Sequence, residues 1–450
     1  MKYMIVVISL LLLSNYLYAQ EKGENISSYK EEKVYDLESC ISYGLANKAT
    51  LQAKSLEKEA AHELRQNAVK QLLPDISFIA NLDHYWQIPV QAFPAELAGG
   101  PEGEFIPVRV GTPWNLNAGI STEIDLINAS KWKEIRVANL RQQMNTYEFE
   151  NEEALLKQYI ALAYYNTQLA SQQSYFSEQN FEVQQAVFVY VKSRFDEGVV
   201  EQIDYNKAES AMLNARNQWR LSQKNAHNQE LELKFWMGMP IDEALQLVKV
   251  SWKADWIGAN KFDSLYLQTH PAYQALQSQV LLSENQMQQI GVSRLPKLTA
   301  YAGYSQLAFR NDFDFFDGSR EWYSTGQLGL RLNIPIFSRG QISGDVKINR
   351  LQLDQAQKKL SDFELEKRME YQQLINDLQT SQESIESQER QLKLAQENQK
   401  IARVKYENGV YTFSDYLEVQ KEVLQAQKNY LESFARYYSA QAELNYLLQK

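Results

Sequence analysis

Two periodicities divide this chain. From Trp114 the residues alternate, with Trp114, Leu116, Ala118, Ile120, Ile124 and Leu126 set against Asn115, Asn117, Ser121, Glu123 and Asp125. From Trp322 onward Leu328, Leu330, Leu332 and Ile334 alternate with Gln327, Arg331 and Asn333. A period of two with one apolar and one polar face is the pattern of a half-buried strand. Each run spans about ten to thirteen residues, long for a globular sheet and suited to crossing a bilayer at a tilt. A less regular alternation precedes each run. The expected strands are about 75–87, 114–126, 297–309 and 322–336. Trp86, Trp114, Trp322 and Tyr323 fall at strand ends beside the loops, where an aromatic girdle belongs.

The second periodicity is helical. Between Leu126 and Gly198 there is neither Gly nor Pro, and a continuous helix over about 127–197 would be ~105 Å long. Leu155, Leu162, Leu169, Phe176, Val183 and Tyr190 recur every seven residues, a coiled-coil seam. Tyr371, Leu378, Ile385 and Leu392 do the same in a second long helix expected at about 342–408. Shorter helices are expected at about 201–239 and 412–448, with others over 37–72 and 263–294 ahead of the strands.

The chain repeats itself. Ala46 to Ala53 aligns with Gln268 to Ala275, and Leu73-Pro74 with Leu295-Pro296, both at an offset of 222 residues. Gly119 aligns with Gly329 at an offset of 210, so the second loop is the shorter. Arg194 to Val199 aligns with Lys405 to Val410, and Asp204-Tyr205 with Asp415-Tyr416, at 211. The halves are 20–239 and 262–450. A linker over 240–261 begins at Met239-Pro240 and holds a short strand near Leu245 to Val250.

Four strands in two hairpins cannot close a barrel, since the smallest outer-membrane barrels need about eight. An open sheet in lipid would leave unsatisfied backbone groups along both edges, which is prohibitive. Two copies would give eight strands and three would give twelve; the edges demand an oligomer without fixing its number. The expected class is mainly α, with a membrane β-barrel built from two structural repeats.

Composition narrows the setting. Lys2, the apolar run Met4 to Leu13 and the small residue Ala19 before Gln20 form a signal peptide over 1–19. A net charge of −10 argues against nucleic acid as a partner. The single cysteine, Cys40, cannot form an internal disulfide. His62, His84, His227 and His270 share no ligand-like spacing, so neither metal nor cofactor is expected. No phosphate loop, nucleophile elbow or HExxH motif is present, and no enzymatic activity is expected.

The order of elements and two turn segments resemble the TolC family of outer-membrane efflux proteins, over essentially the whole mature chain. The most specific marks are Arg194-Phe195-x-x-Gly198-x5-Asp204-Tyr205-x-x-Ala208 and Lys405-Tyr406-x-x-Gly409-x5-Asp415-Tyr416-Leu417. The resemblance implies a homotrimer whose twelve-stranded barrel sits in outer-membrane lipid and continues as a helical coiled-coil tunnel in the periplasm. It implies passive export of small molecules (drugs, toxic compounds or metal ions), with a periplasmic adaptor and an inner-membrane pump as partners. A conduit for type I protein secretion is the nearest alternative. A structural coiled-coil scaffold of the periplasm is an alternative of another class, against which the alternating strands and their tryptophans speak.

In that family the two turns are the periplasmic tips, here Gly198-Val199 and Gly409-Val410, where the tunnel narrows and meets its adaptor. The family's acidic aperture ring corresponds to Asp415 and Glu418; the first-repeat counterpart of Glu418 is Lys207. Tyr406 matches a tyrosine that helps hold neighbouring coils closed through the first-repeat aspartate, here Asp204. Tyr411 stands where the best-known member has an arginine of its lock. Read from the residues alone, Gly198 and Gly409 suit the left-handed position after a helix, and Thr412 or Ser414 would cap the next one with Asp415 in its first turn. Helix starting and aperture charge both remain open for Asp415.

The segments 88–113 and 310–321 are rich in turn formers, among them Pro89, Pro94, Gly99-Gly100-Pro101, Asn311-Asp312 and Asp317-Gly318. They are expected to be cell-surface loops. An epitope tag in either should be labelled on intact cells, and labelling only after permeabilisation would reverse the orientation.

Overall fold

The computed structural model describes residues 34–254 and 264–449. The expected signal peptide and the end of the linker, 255–261, lie outside the described residues. In chain order the first repeat comprises strand β1 (Val34–Tyr35), helices α1 (Leu37–Asn47) and α2 (Ala49–Lys70), and strand β2 (Asp75–His84). A small hairpin, β3 (Val90–Pro94) and β4 (Phe105–Arg109), is followed by β5 (Trp114–Ile127), α3 (Ala129–Asp196) and α4 (Gln202–Met237). After β6 (Gln246–Leu247) come α5 (Ser264–Thr269), α6 (Pro271–Val292), β7 (Lys297–Arg310), β8 (Tyr323–Asn333), α7 (Gln341–Glu407) and α8 (Phe413–Leu448). The segment expected as a plain surface loop thus carries its own hairpin. The linker strand β6 pairs in parallel with β1.

The long strands form one antiparallel sheet ordered β2-β5-β7-β8. Its register makes one face mainly apolar and the other mainly polar. Phe78, Ile120 and Tyr304 face one another across three strands, as do Leu82, Leu116 and Ala308, and Ala300 faces Leu330. The opposite face carries Ser77 against Ser121, whose hydroxyls lie 2.9 Å apart, and Tyr301 against Glu123 and Gly329. Among the described residues most of the apolar face is without cover, with Leu328 85 % exposed, while Ala308 near the loop end is buried. An uncovered apolar face backed by a polar one is the arrangement of a barrel wall between lipid and a wet lumen. The repeat-matched Gly119 and Gly329 serve close approach, since a Cβ would meet Ser305 and Tyr304 at the first and the Tyr301 ring at the second.

Among the expected girdle residues, Trp114 stacks on His84 at 4.1 Å and meets Phe313 edge-on. Trp86 lies just beyond β2 and is 95 % exposed. Tyr323 is the first residue of β8, and Trp322 lies just ahead of that strand. Tyr323 pairs with Leu307 and shares the polar face of Gln327 and Arg331.

α3 has 68 residues and runs ~100 Å. It packs against α2 and α4 on one side and against α6 and α8 on the other. In the second repeat the expected seam is buried at Tyr371, Leu378, Ile385 and Leu392. In the first the deeply buried row lies one residue further on, at Leu156, Ala163, Ala170, Ser177, Gln184 and Val191. Of the expected row only Leu169 is buried. The reason is that α3 serves two interfaces. Its larger residues straddle them, while the line of closest approach falls on small and polar side chains.

Where strand becomes helix, Asp125 binds the junction. Its carboxylate takes Lys131 at 2.9 Å, Lys297 at 3.1 Å, the Thr299 hydroxyl at 2.8 Å and the Asn128 amide at 2.9 Å. Asn128 also caps α3 by accepting the Lys131 N–H. One side chain thereby fixes the end of β5, the start of β7 and the direction of α3.

A second joint recurs in both repeats. Lys48 and His270, matched at the offset of 222, break the helices that precede the strands, and both are buried. The Lys48 ammonium donates to the Phe235 carbonyl at 2.6 Å at the end of α4. His270 packs edge-on against Tyr446, the counterpart of Phe235 at the end of α8, at 5.0 Å. Its Nδ1 accepts the Ala272 N–H at 3.2 Å and so caps α6. Burial pushes the imidazole down to about 4, with the Lys367 charge adding to that and the Tyr446 backbone opposing it. Between the ordinary histidine value of about 6.5 and this lower value the unfolded chain binds a proton that the folded chain does not. Stability should therefore fall as pH drops through that window, by up to ~3 kcal/mol, with no further loss from this group below it. Thermal unfolding at pH 7.5 and pH 4.5 should show a smaller acid loss in His270→Asn, which keeps a capping acceptor without the titration.

Candidate functional site

The two long helices end in the same turn. After α3, the Gly198 N–H donates to the Phe195 carbonyl at 2.8 Å and the Val199 N–H to Arg194 at 2.9 Å. After α7, Gly409 donates to Tyr406 at 3.0 Å and Val410 to Lys405 at 2.8 Å. Each is a Schellman motif closed by a left-handed glycine, with φ of +77° at Gly198 and +73° at Gly409. Beneath the turns Val191, Ala208, Ala402, Phe413 and Tyr416 form a buried cluster contributed by all four helices. The tips of both repeats are thus one packed unit. Val199 and Val410 project from it, 58 % and 69 % exposed.

The helices that leave the turns start differently. α8 begins with a capping box: Asp415 N–H donates to Thr412 Oγ1 at 3.1 Å, and Asp415 Oδ2 accepts from Thr412 N at 2.9 Å and from its hydroxyl at 2.7 Å. These bonds hold the Asp415 carboxyl below its ordinary value, the side-chain bond first and the backbone bond second. The group therefore starts the helix and remains a fixed negative charge. Glu418 pairs with Lys421 at 3.0 Å, both side chains well exposed. α4 has Glu201 at the cap without a side-chain bond. Asp204 instead takes Lys207 at 3.4 Å, and the same ammonium reaches Ser414 Oγ at 3.1 Å. Lys207 thereby ties the start of α4 to the start of α8, a role that the repeat alignment alone did not suggest.

Tyr406 lies among Tyr190, Phe413 and Tyr416, with ring centroids 6.2, 5.5 and 5.8 Å away. Burial, then the Asp204 charge, pushes its phenol up to about 12. Asp204 is near enough to be felt electrostatically, while its close partner is Lys207. Tyr416 is buried to the same effect, also up to about 12, and among the described residues its hydroxyl has no hydrogen-bond partner. A polar relay that sequence reasoning missed crosses between the coils: Gln399 donates to Gln420 at 2.6 Å, and Gln420 to Asn180 at 2.7 Å. Its residues occupy positions where a heptad reading looks for apolar side chains. Among the described residues no group of His, Cys, Asp and Glu has the geometry to hold a metal ion.

With this geometry in place, comparison with known proteins identifies the architecture. The family model described as outer membrane efflux protein matches residues 40–239 and 264–448. The fold is similar to the CmeC outer membrane channel of Campylobacter jejuni, at 16 % identity and a TM-score of 0.76, covering 92 % of this chain and 85 % of that one. It is similar to the outer membrane protein VceC of Vibrio cholerae at 15 % identity and a TM-score of 0.75, over 92 % and 95 % of the two chains. A membrane protein from Pseudomonas aeruginosa gives 16 % identity and a TM-score of 0.77 over 95 % and 96 %. No protein of curated function matches the sequence.

Open space surrounds both turn glycines, so a side chain there meets no steric obstacle and only the backbone conformation resists it. Gly198→Ala and Gly409→Ala should each destabilise its tip by ~1 kcal/mol. Amide hydrogen exchange should speed up over 194–201 or 405–412 and stay unchanged in the sheet.

Proposed function

Because the chain belongs to the outer membrane efflux protein family, we propose that three copies form an outer-membrane channel that passes small molecules outward through a helical tunnel, with the paired tips as its periplasmic aperture. The observation that carries this reading is the open four-stranded sheet with one predominantly apolar, largely exposed face. Such a sheet is stable in lipid only when further copies continue it into a closed barrel. No catalytic group takes part; transport follows the gradient or force supplied from the inner membrane.

The exposed apolar Val199 and Val410 on the tip turns favour a protein contact there. A periplasmic adaptor joined to an inner-membrane pump is the partner we assign to that surface. Asp415 and Glu418 supply the aperture with negative charge. Because Thr412 holds the Asp415 carboxyl in its charged form, that charge persists to lower pH than a free carboxylate would allow. Tyr406 contributes to closure as part of the aromatic cluster beneath the turns.

Single-channel recording in a planar bilayer tests the reading. The purified protein should conduct with a cation preference whose Asp415 share is lost at a lower pH than that of an ordinary aspartate. Asp415→Asn with Glu418→Gln should weaken that preference and leave assembly intact. Absence of any conductance would refute the channel. Unchanged selectivity in the double variant would confine both carboxylates to starting and decorating a helix.

A further inference from the structure

The chain carries a net charge of −10, yet the band where the sheet meets the helices is basic. Four helices reach this band, α2, α3, α6 and α7, each next in the chain to one strand of the sheet. At each of these junctions one large apolar side chain and one cation are exposed. Lys70 ends α2 and Leu73 follows it, while Trp132 and Arg136 stand one helical turn apart on α3. Arg294 and Leu295 are neighbours after α6, and Phe337 lies two residues before Arg339 ahead of α7. None of the four cations is more than about two helical turns from the sheet. Leu73 and Leu295 are repeat counterparts, but the positions matched to Lys70 and Arg294 are Val292 and Leu72. Each junction therefore supplies its cation at its own position, and duplication of the chain does not account for the pattern.

These charges are not consumed within the protein. Asp125 takes Lys131 and Lys297, and among the described residues Lys70, Arg136, Arg294 and Arg339 form no ion pair. Arg294 donates to the Ser343 hydroxyl at 3.0 Å, a neutral partner that leaves its charge in place. The opposite end of the sheet has the reverse character. Its loops carry Glu96, Glu102, Glu104, Asp312 and Asp317. There Arg310 and Arg320 both pair with Asp314, at 3.3 and 3.0 Å.

An exposed ring or branched side chain with a cation close by suits the boundary between hydrocarbon and headgroups. The apolar part enters the acyl margin and the charge reaches the phosphates. Several such cations at one level attract lipids of net negative charge, whereas a zwitterionic headgroup brings its own ammonium and gains less. We propose that this belt is an interaction surface for anionic phospholipid headgroups of the leaflet on the helical side, the periplasmic one in the proposed orientation. The reversed charge at the loop end makes the two leaflets unequal partners of the same sheet. The inference rests on the reading of the sheet as a membrane wall and adds to it the lipid chemistry of one side.

Lipid retention by the full-length protein tests it. After delipidation in detergent the protein is offered equal amounts of phosphatidylglycerol and phosphatidylcholine with the same acyl chains, and bound lipid is read by native mass measurement. Phosphatidylglycerol should be retained preferentially, and the preference should fall as salt rises. Arg136→Gln with Arg294→Gln, on the two central helices of the wall, should weaken the preference about fivefold per side chain. Arg136→Lys with Arg294→Lys should keep it. Lys393→Gln, at an exposed position far along α7, should leave it unchanged. Equal retention of both lipids by the unsubstituted protein, or an undiminished preference in the glutamine variant, would overturn the proposal. Displacement of bound phosphatidylglycerol by excess inorganic phosphate would also overturn it, because a plain anion site needs no leaflet. Should the glutamine variant fail to assemble, the salt series on the unsubstituted protein decides, and a preference insensitive to salt would overturn the belt. A protein that takes up neither lipid and stays soluble without detergent would instead remove the membrane reading itself.

Discussion

An unpaired strand edge in hydrocarbon is the constraint on which this structure turns. β2 and β8 end the sheet, each presenting backbone donors and acceptors beside a face of Ile, Leu and Phe side chains that is left bare. In water such an edge would invite aggregation; in lipid each unsatisfied group costs several kcal/mol. The chain alone satisfies neither solvent. Its repeats build half of the answer within one molecule, because β5 and β7 already join two hairpins across a repeat boundary. In the proposed assembly, further copies complete it.

The helical half obeys a different rule. Each long helix is held to its repeat partner by an apolar seam, densest around Tyr371, Leu378, Leu431, Phe434 and Tyr437. Before the apolar cluster of the tips the contact between repeats passes through a polar stretch, Asn180, Gln420 and Gln399. Amides bury at modest net gain and bind only when aligned, so this boundary defines position more than it adds cohesion. Asp125 connects the two regimes, converting the strand direction into that of a 68-residue helix.

Much of this was legible in the sequence, for reasons that can be named. Alternation over Trp114 to Leu126 reports one wet and one dry face without reference to any neighbour. The absence of Gly and Pro over some seventy residues, together with an apolar row every seven, marks one long helix. Gly198 and Gly409 announced their turns because a left-handed residue is needed after each helix. What stayed hidden depends on the neighbours. The true seam of α3 sits one residue from its most apolar row because two interfaces share the helix. Tyr323 reads as girdle by composition, and only its ladder partner Leu307 tells which face of the sheet it shares. Asp415 offered two readings, and its capping box shows the first of them, helix start, in full. Lys207 carried no motif at all, since its contact with Ser414 joins residues 207 positions apart.

The central claim is that the sheet edges compel assembly, and the mass of the detergent-solubilised protein tests it most directly. Native mass measurement should give three chains with bound detergent or lipid, and no stable species of lower order. A stable monomer that remains soluble without detergent would contradict the account, because its bare apolar face and both open edges would then need no partner.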